Sequence, residues 1–296
     1  MLSAVTQAAK GEVVAGLDRL GWRLTRAAPL DLRGETDDPI AAAYLADGRA
    51  FVIDVPMERC RRGWGAISFA LGPGSLDPIV RTARAHISDN GTAFEGSPLW
   101  RYYEHFQPNS AAAVLGLDTS FPFVEMPPLA ARLPWSLTVS IDALRDLIGR
   151  ENRGHGVDLD AEHGWYGFGP VSSQKGRLET TRLARVCDSI RAHGFRRRDN
   201  MDGDIRGTVL IGDRTWVCWI GSGHHRIAAL SALGYGHVPI RFMSGGFGPL
   251  VRRADVAAWP QVRNGLYTRD QALAVFDRVL KGRPPDETLP PGWEKP

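Results

Sequence analysis

The chain has 296 residues, 43% hydrophobic and 23% charged, values of an ordinary globular protein that exclude a disordered or fibrous chain. Its net charge of +3, from 36 Lys and Arg against 33 Asp and Glu, is too small for a protein that holds nucleic acid mainly through charge. Three cysteines, Cys60, Cys187 and Cys218, leave an odd member and fit a reducing compartment, and no stretch reaches the roughly 18 apolar residues of a membrane span; a cytoplasmic protein without a membrane partner is expected.

Residues 3–20 carry Val5, Ala8, Val13, Val14, Leu17 and Leu20 on one helical face, ended by Gly21 and Trp22. Lys10, Glu12, Asp18 and Arg19 interrupt this stretch, so it lacks the apolar centre of a secretion signal. Residues 41–45 and 50–55 are apolar runs on either side of Asp47-Gly48, a pair favoured in tight turns, and predict a hairpin closed by Pro56. Residues 58–74 mix Arg59, Arg61 and Arg62 with glycines and read as a solvated loop or, less economically, as a basic loop for an anion. A helix is predicted over 75–86, then two short helices within 97–117 broken at Pro108, the second starting at Asn109. Residues 121–134 are proline-rich and connecting, and Ser140 opens a helix through Ile148. The glycines of 150–170, with few apolar residues, mark a domain seam.

Beyond it, Leu178, Leu183, Val186 and Ile190 define a helix ending near Gly194, followed by Arg196, Arg197 and Arg198. Residues 208–211 and 216–220 form a hairpin turned at Gly212-Asp213-Arg214. A strand over 238–242, a loose loop over 245–248, a final helix started by a Thr268/Gln271 capping box and an irregular tail from Gly282 complete the reading.

The chain is organised around residues 216–234. An aromatic, β-branched strand runs into Gly221, Ser222 and Gly223; His224, His225 and Arg226 follow, and an alanine-rich helix closes at Gly234. The glycines let backbone approach a ligand, the amides and the positive end of the helix dipole favour an anion, and His224, His225 and Arg226 add donors. That outlines a phosphate site; the alternative is plain strand-turn-helix punctuation with surface histidines. Zinc is disfavoured, because adjacent histidines in a tight turn diverge and no cysteine or acid stands at ligand spacing, so no metal ligands are assigned.

Two boxes carry a family resemblance over about a quarter of the chain, from Gly169 to Phe242. Asp188-Ser189-Ile190-Arg191-Ala192-His193-Gly194 and Gly223-His224-His225-Arg226, in that order, resemble the domain shared by ParB-type partition proteins, sulfiredoxins and a group of free-serine kinases. The resemblance implies an α/β (α+β) fold with a mixed sheet and flanking helices. His224 stands where sulfiredoxins place their catalytic cysteine, and about fifty residues after Phe242 leave no room for the helix-turn-helix reader of partition proteins. The Gly-His-His-Arg form is that of the serine kinases, whose glutamate base finds its nearest equivalent in Glu179. It implies His225 and Arg226, with Gly221, Ser222 and Gly223, on nucleotide phosphates, His224 on a phosphate or the acceptor, and Glu179 as general base; a helix-terminus acid is the other reading of Glu179. Lys175 and the 196–198 arginines either add charge around the phosphates or are solvated.

The expected organisation is a mainly helical α+β domain over 1–150, a linker over 151–168, a ParB/sulfiredoxin-like nucleotide-binding domain over 169–245, an extension with one helix over 246–281 and an irregular tail over 282–296. The expected function is phosphate transfer from a nucleoside di- or triphosphate, ATP or ADP ahead of CTP, with Mg2+, to a small hydroxylated acceptor. The alternative is a non-catalytic nucleotide-dependent switch that binds DNA or a protein. Sequence-specific DNA binding is not expected, and a homodimer is compatible with the chain.

Overall fold

A computed structural model describes residues 28–89, 93–117, 120–137, 140–197, 203–243 and 249–293. The helix expected over 3–20, Arg198, and the loop over 245–248 lie outside them. Described residues form a mixed α/β fold around an eight-stranded sheet.

Strand β1 (Leu30–Asp31) lies parallel to β2 (Phe51–Pro56). Between them, residues expected as the first strand of a hairpin are helix α1 (Pro39–Ala46). Its boundaries explain the correction: Asp38 caps the first turn by accepting from the Ile40 N–H, Pro39 fits the first helical position, and Asp47 takes the left-handed conformation as C-cap. The Asp47-Gly48 pair thus ends a helix, using the same positive φ that a hairpin turn would need.

The segment expected as a loop is a second departure. A single 3-10 turn leads into β3 (Cys60–Trp64) and β4 (Ile67–Ala70), a tight antiparallel pair. Its arginines are placed by specific partners: Arg62 is buried and bonds Asp77 at 2.5 Å, and Arg61 donates to the Leu280 carbonyl at 3.0 Å. Charge that looks solvated in one dimension is here spent inside the fold.

Helices α2 (Pro78–Asp89), α3 (Pro98–His105), α4 (Ala111–Leu115) and α5 (Ile141–Gly154) follow. Ser97, Ser110 and Ser140 cap the last three, so Ser110, one residue beyond Asn109, starts the second short helix. Then come α6 (Ser173–His193), β5 (Ile205–Ile211), β6 (Trp216–Ser222), α7 (His224–Ala232), β7 (His237–Phe242), β8 (Leu250–Arg252), α8 (Pro260–Arg263) and α9 (Arg269–Lys281). The hairpin expected over 208–211 and 216–220 forms with longer strands, and the Thr268/Gln271 capping box forms as expected.

The sheet runs β1-β2-β7-β5-β6-β3-β4, with β8 beside the far end of β5. Strands from after residue 200 form its centre, and strands from before residue 71 flank them: β2 pairs antiparallel with β7, and β3 parallel with β6. Phe51 and Phe242, partners in register, stack at 5.1 Å. One sheet therefore crosses the domain division expected at 151–168. That segment is also not a linker. Trp165 and Phe168 are buried and bridged to one another, while Tyr102 and Tyr103 donate their hydroxyls to the carbonyls of Gly167 and Tyr166 at 2.7 and 3.1 Å. Its glycines serve close packing: a Cβ on Gly169 would sit 2.0 Å from the Tyr103 carbonyl oxygen. Around the sheet, α2 and α6 both pack on α7, and α9 packs on β4 and β6. No helix among the described residues is long and apolar enough to cross a membrane.

Candidate functional site

The end of β6 and the start of α7 hold the expected turn. Gly223 is the N-cap residue, with φ 85°, a conformation that any side chain would strain, and an added Cβ would meet Ile205 at 3.1 Å. Ile227, Ala228, Ala229 and Leu230 are fully buried, so the helix start is fixed in place by packing. Gly221, Ser222, Gly223, His224, His225 and Arg226 all line one cavity of about 1040 Å³, and Glu179 lines it too. The structure thus brings the seven residues singled out in the sequence to one place.

Glu179 stands in the second turn of α6, beyond the first-turn position assumed for a helix-terminus acid. Its carboxylate is 2% exposed and has three nitrogen donors around it: Lys175 Nζ at 2.5 Å, His225 Nε2 at 2.9 Å and Arg182 at 3.1 Å. Lys175 is buried as well and bonds Asn152 Oδ1 at 2.6 Å; Asn152 in turn donates to the Leu159 carbonyl at 2.8 Å. Burial alone would push the Glu179 carboxyl up, but the hydrogen bond from His225, with the charges of Arg182 and Lys175, overcomes it and holds the group well below its ordinary range. The carboxylate is therefore ionised, held and weakly basic, better suited to orienting His225 than to taking a proton itself.

His224 differs from its neighbour. Its Nε2 lies 3.0 Å from the Tyr166 hydroxyl, and the two rings face each other at 4.9 Å. Burial, followed by the charge of Arg62, holds the imidazole well below its ordinary range, so it is neutral and a poor charge partner for phosphate. It can still offer one N–H.

Residues that sequence reasoning missed complete the walls. Trp64, Trp165, Tyr166 and Trp219 supply aromatic surface, with Trp165 4.5 Å from Tyr166 and edge-on to Trp64 at 5.5 Å. The indole N–H groups of Trp64, Trp165 and Trp219, and His224 Nδ1, are buried without a partner among the described residues. The charged lining is lopsided: Arg132, Arg150, Arg182, Arg185, Arg206 and Arg226 against Glu151 and Glu179. Lys175, expected either near the phosphates or in solvent, is instead buried on Glu179; Arg182 was open to detection by its helical spacing from Glu179, while Tyr166 and Arg150 carry no local signal.

Other expected candidates lie elsewhere. Arg197 turns inward to Asp204 at 2.9 Å, and Asp213 sits exposed in the turn between β5 and β6, outside the cavity lining. Comparison with protein-family models, curated proteins and solved structures finds no match.

Proposed function

We propose that this chain is a nucleotide-binding phosphotransferase that acts on a hydroxylated small molecule through a ParB/sulfiredoxin-like arrangement of strand, glycine turn and helix. The observation that carries the proposal is the opening of the α7 N-terminus into a single arginine-rich, tryptophan-walled cavity. Amides at 223–226, the helix dipole and the arginines favour phosphates, while the aromatic walls favour a purine ring. ATP or ADP is the proposed donor, ahead of CTP.

In this scheme the acceptor oxygen bonds to the terminal phosphorus, the bridging P–O bond breaks, and its electron pair leaves with the shortened nucleotide. The hydroxyl proton passes to His225, with Glu179 steadying the imidazolium, the division of labour of a base and its orienting carboxylate. Glu179 thus acts through His225. No group of three or more His, Cys, Asp or Glu side chains suited to a metal occurs among the described residues, so magnesium fits as the ion carried on the nucleotide, with Glu151 the nearby carboxylate. It would neutralise phosphate charge. The inward turn of Arg197 leaves the alternative, a DNA-binding switch, with less exposed basic surface than the 196–198 cluster suggests.

A thermal-shift panel of ATP, ADP, CTP and GTP, with and without magnesium, tests the reading. A nucleotide at a hundred times its dissociation constant should stabilise the protein by about 2.7 kcal/mol. Arg226→Ala should reduce that affinity by roughly 1.5–3 kcal/mol, the range for hydrogen bonds to charged groups. If no nucleotide shifts the parent protein, the phosphotransfer reading fails.

A further inference from the structure

One part of the cavity lining is charged and another is rich in leucine. Helix α5 runs along both. Its N-terminal part lines the cavity with Ile141, Leu144 and Leu147, and its C-terminal part with Arg150 and Glu151, a change from hydrocarbon to charge over ~15 Å of helix. Leu129, Leu133 and Leu137 also line the cavity, with Arg132 and Ser136 among them, while Arg182 meets Glu151 at 3.4 Å at the charged end of the helix. Leu147 and Leu137 are 49% and 56% exposed, two of only six large hydrophobic side chains so exposed among the described residues, and both belong to this lining. Leucines left in water at one end of a cavity whose other end is built for anions indicate a ligand that covers them. At about 1040 Å³ the cavity exceeds the usual upper bound for one drug-sized ligand, which leaves space beside a nucleotide.

We infer that the acceptor is an amphiphilic alcohol, its hydroxyl at the His225 end and its hydrocarbon chain along Ile141, Leu144 and Leu147. The inference rests on the phosphotransfer reading and specifies its acceptor. The balanced step is the one already given: the alcohol oxygen gains the phosphoryl group, the nucleotide leaves with the electron pair of the broken P–O bond, and the proton goes to His225. The product is an alkyl phosphate, with its dianion near the α7 amides and its chain against leucine. Linear and branched chains share this chemistry.

Product-like probes separate the alcohol from the phosphate. Decyl phosphate, geranyl phosphate and glycerol phosphate, each below its micelle concentration, are titrated into the full chain by calorimetry, alongside Leu147→Gln and Leu144→Gln variants checked for an unchanged melting profile. At least one hydrocarbon phosphate should bind ten times more tightly than glycerol phosphate or better, the gain from burying about two methylenes. The preference should fall at least threefold in Leu147→Gln, a half-exposed position at which folding tolerates the change, while glycerol phosphate affinity stays the same. The linear and branched arms report which chain fits. Equal affinity for all three, with binding retained, overturns the amphiphilic acceptor and leaves the phosphate site standing. A preference that survives both leucine variants also overturns it, because the chain then lies elsewhere. If none of the three binds, while ATP still shifts the melting temperature, the acceptor inference fails alone; if ATP fails too, both readings fall.

Discussion

Glu179 shows how one carboxylate can hold a site together. It is the common partner of Lys175, Arg182 and His225, so removing its charge leaves a buried ammonium without its counterion. Glu179→Gln should destabilise the protein by about 3 kcal/mol, the lower end for breaking a buried pair, as read by chemical denaturation at pH 7. The pH dependence follows in sign. The folded group titrates below its ordinary 4.5, so its contribution is complete above that value and is lost as acid takes the pH down through 4.5 toward the folded pKa. The gap between parent and variant should therefore narrow between about pH 5 and pH 3; a gap that stays constant would mean that Glu179 is not the ionised hub described. Sequence alone could name Glu179 and His225 but not join them. The histidine follows a glycine turn, the glutamate lies 46 residues earlier in another helix, and only the packing of α6 against α7 sets them 2.9 Å apart.

At the scale of elements, the turn at 221–226 was legible because its geometry demands particular residues. Gly223 has a positive φ and a neighbour that excludes a Cβ, two reasons for glycine at one position. Gly223→Ala should cost about 1–3 kcal/mol of stability, with loss of nucleotide affinity, and a variant matching the parent in both would show that the turn is not the anchor. The same kind of signal misled at Asp47-Gly48, because positive φ serves a helix end as well as a hairpin. Alanine runs are also ambiguous: the stretch at 41–45 has no clear period, and only Asp38 and Pro39 upstream announce a helix. Residues 150–170 were opaque for another reason. Glycine there permits close approach to Tyr103 and Trp64, a tertiary demand that resembles a linker when read along the chain.

For the molecule as a whole, the sheet order decides what can stand alone. The central strands β7, β5 and β6 have neighbours from the first half on both sides, so a fragment of residues 151–296 would expose the hydrogen-bonding edges of β7 and β6 that pair with β2 and β3. Such a fragment should show no cooperative thermal transition by circular dichroism, whereas a sharp one would restore the two-domain division. Local patterns could not reveal this, since strand pairing between Cys60 and Cys218 leaves no trace in either strand's own sequence. The interleaving also acts in time. On a ribosome adding about 5–20 residues per second, β2 and β3 emerge roughly eight to forty seconds before the strands that cover them. During that interval both strands have an unpaired edge and β2 is largely apolar, so the yield of this protein in a cell should depend on how well holdase chaperones shield the nascent first half.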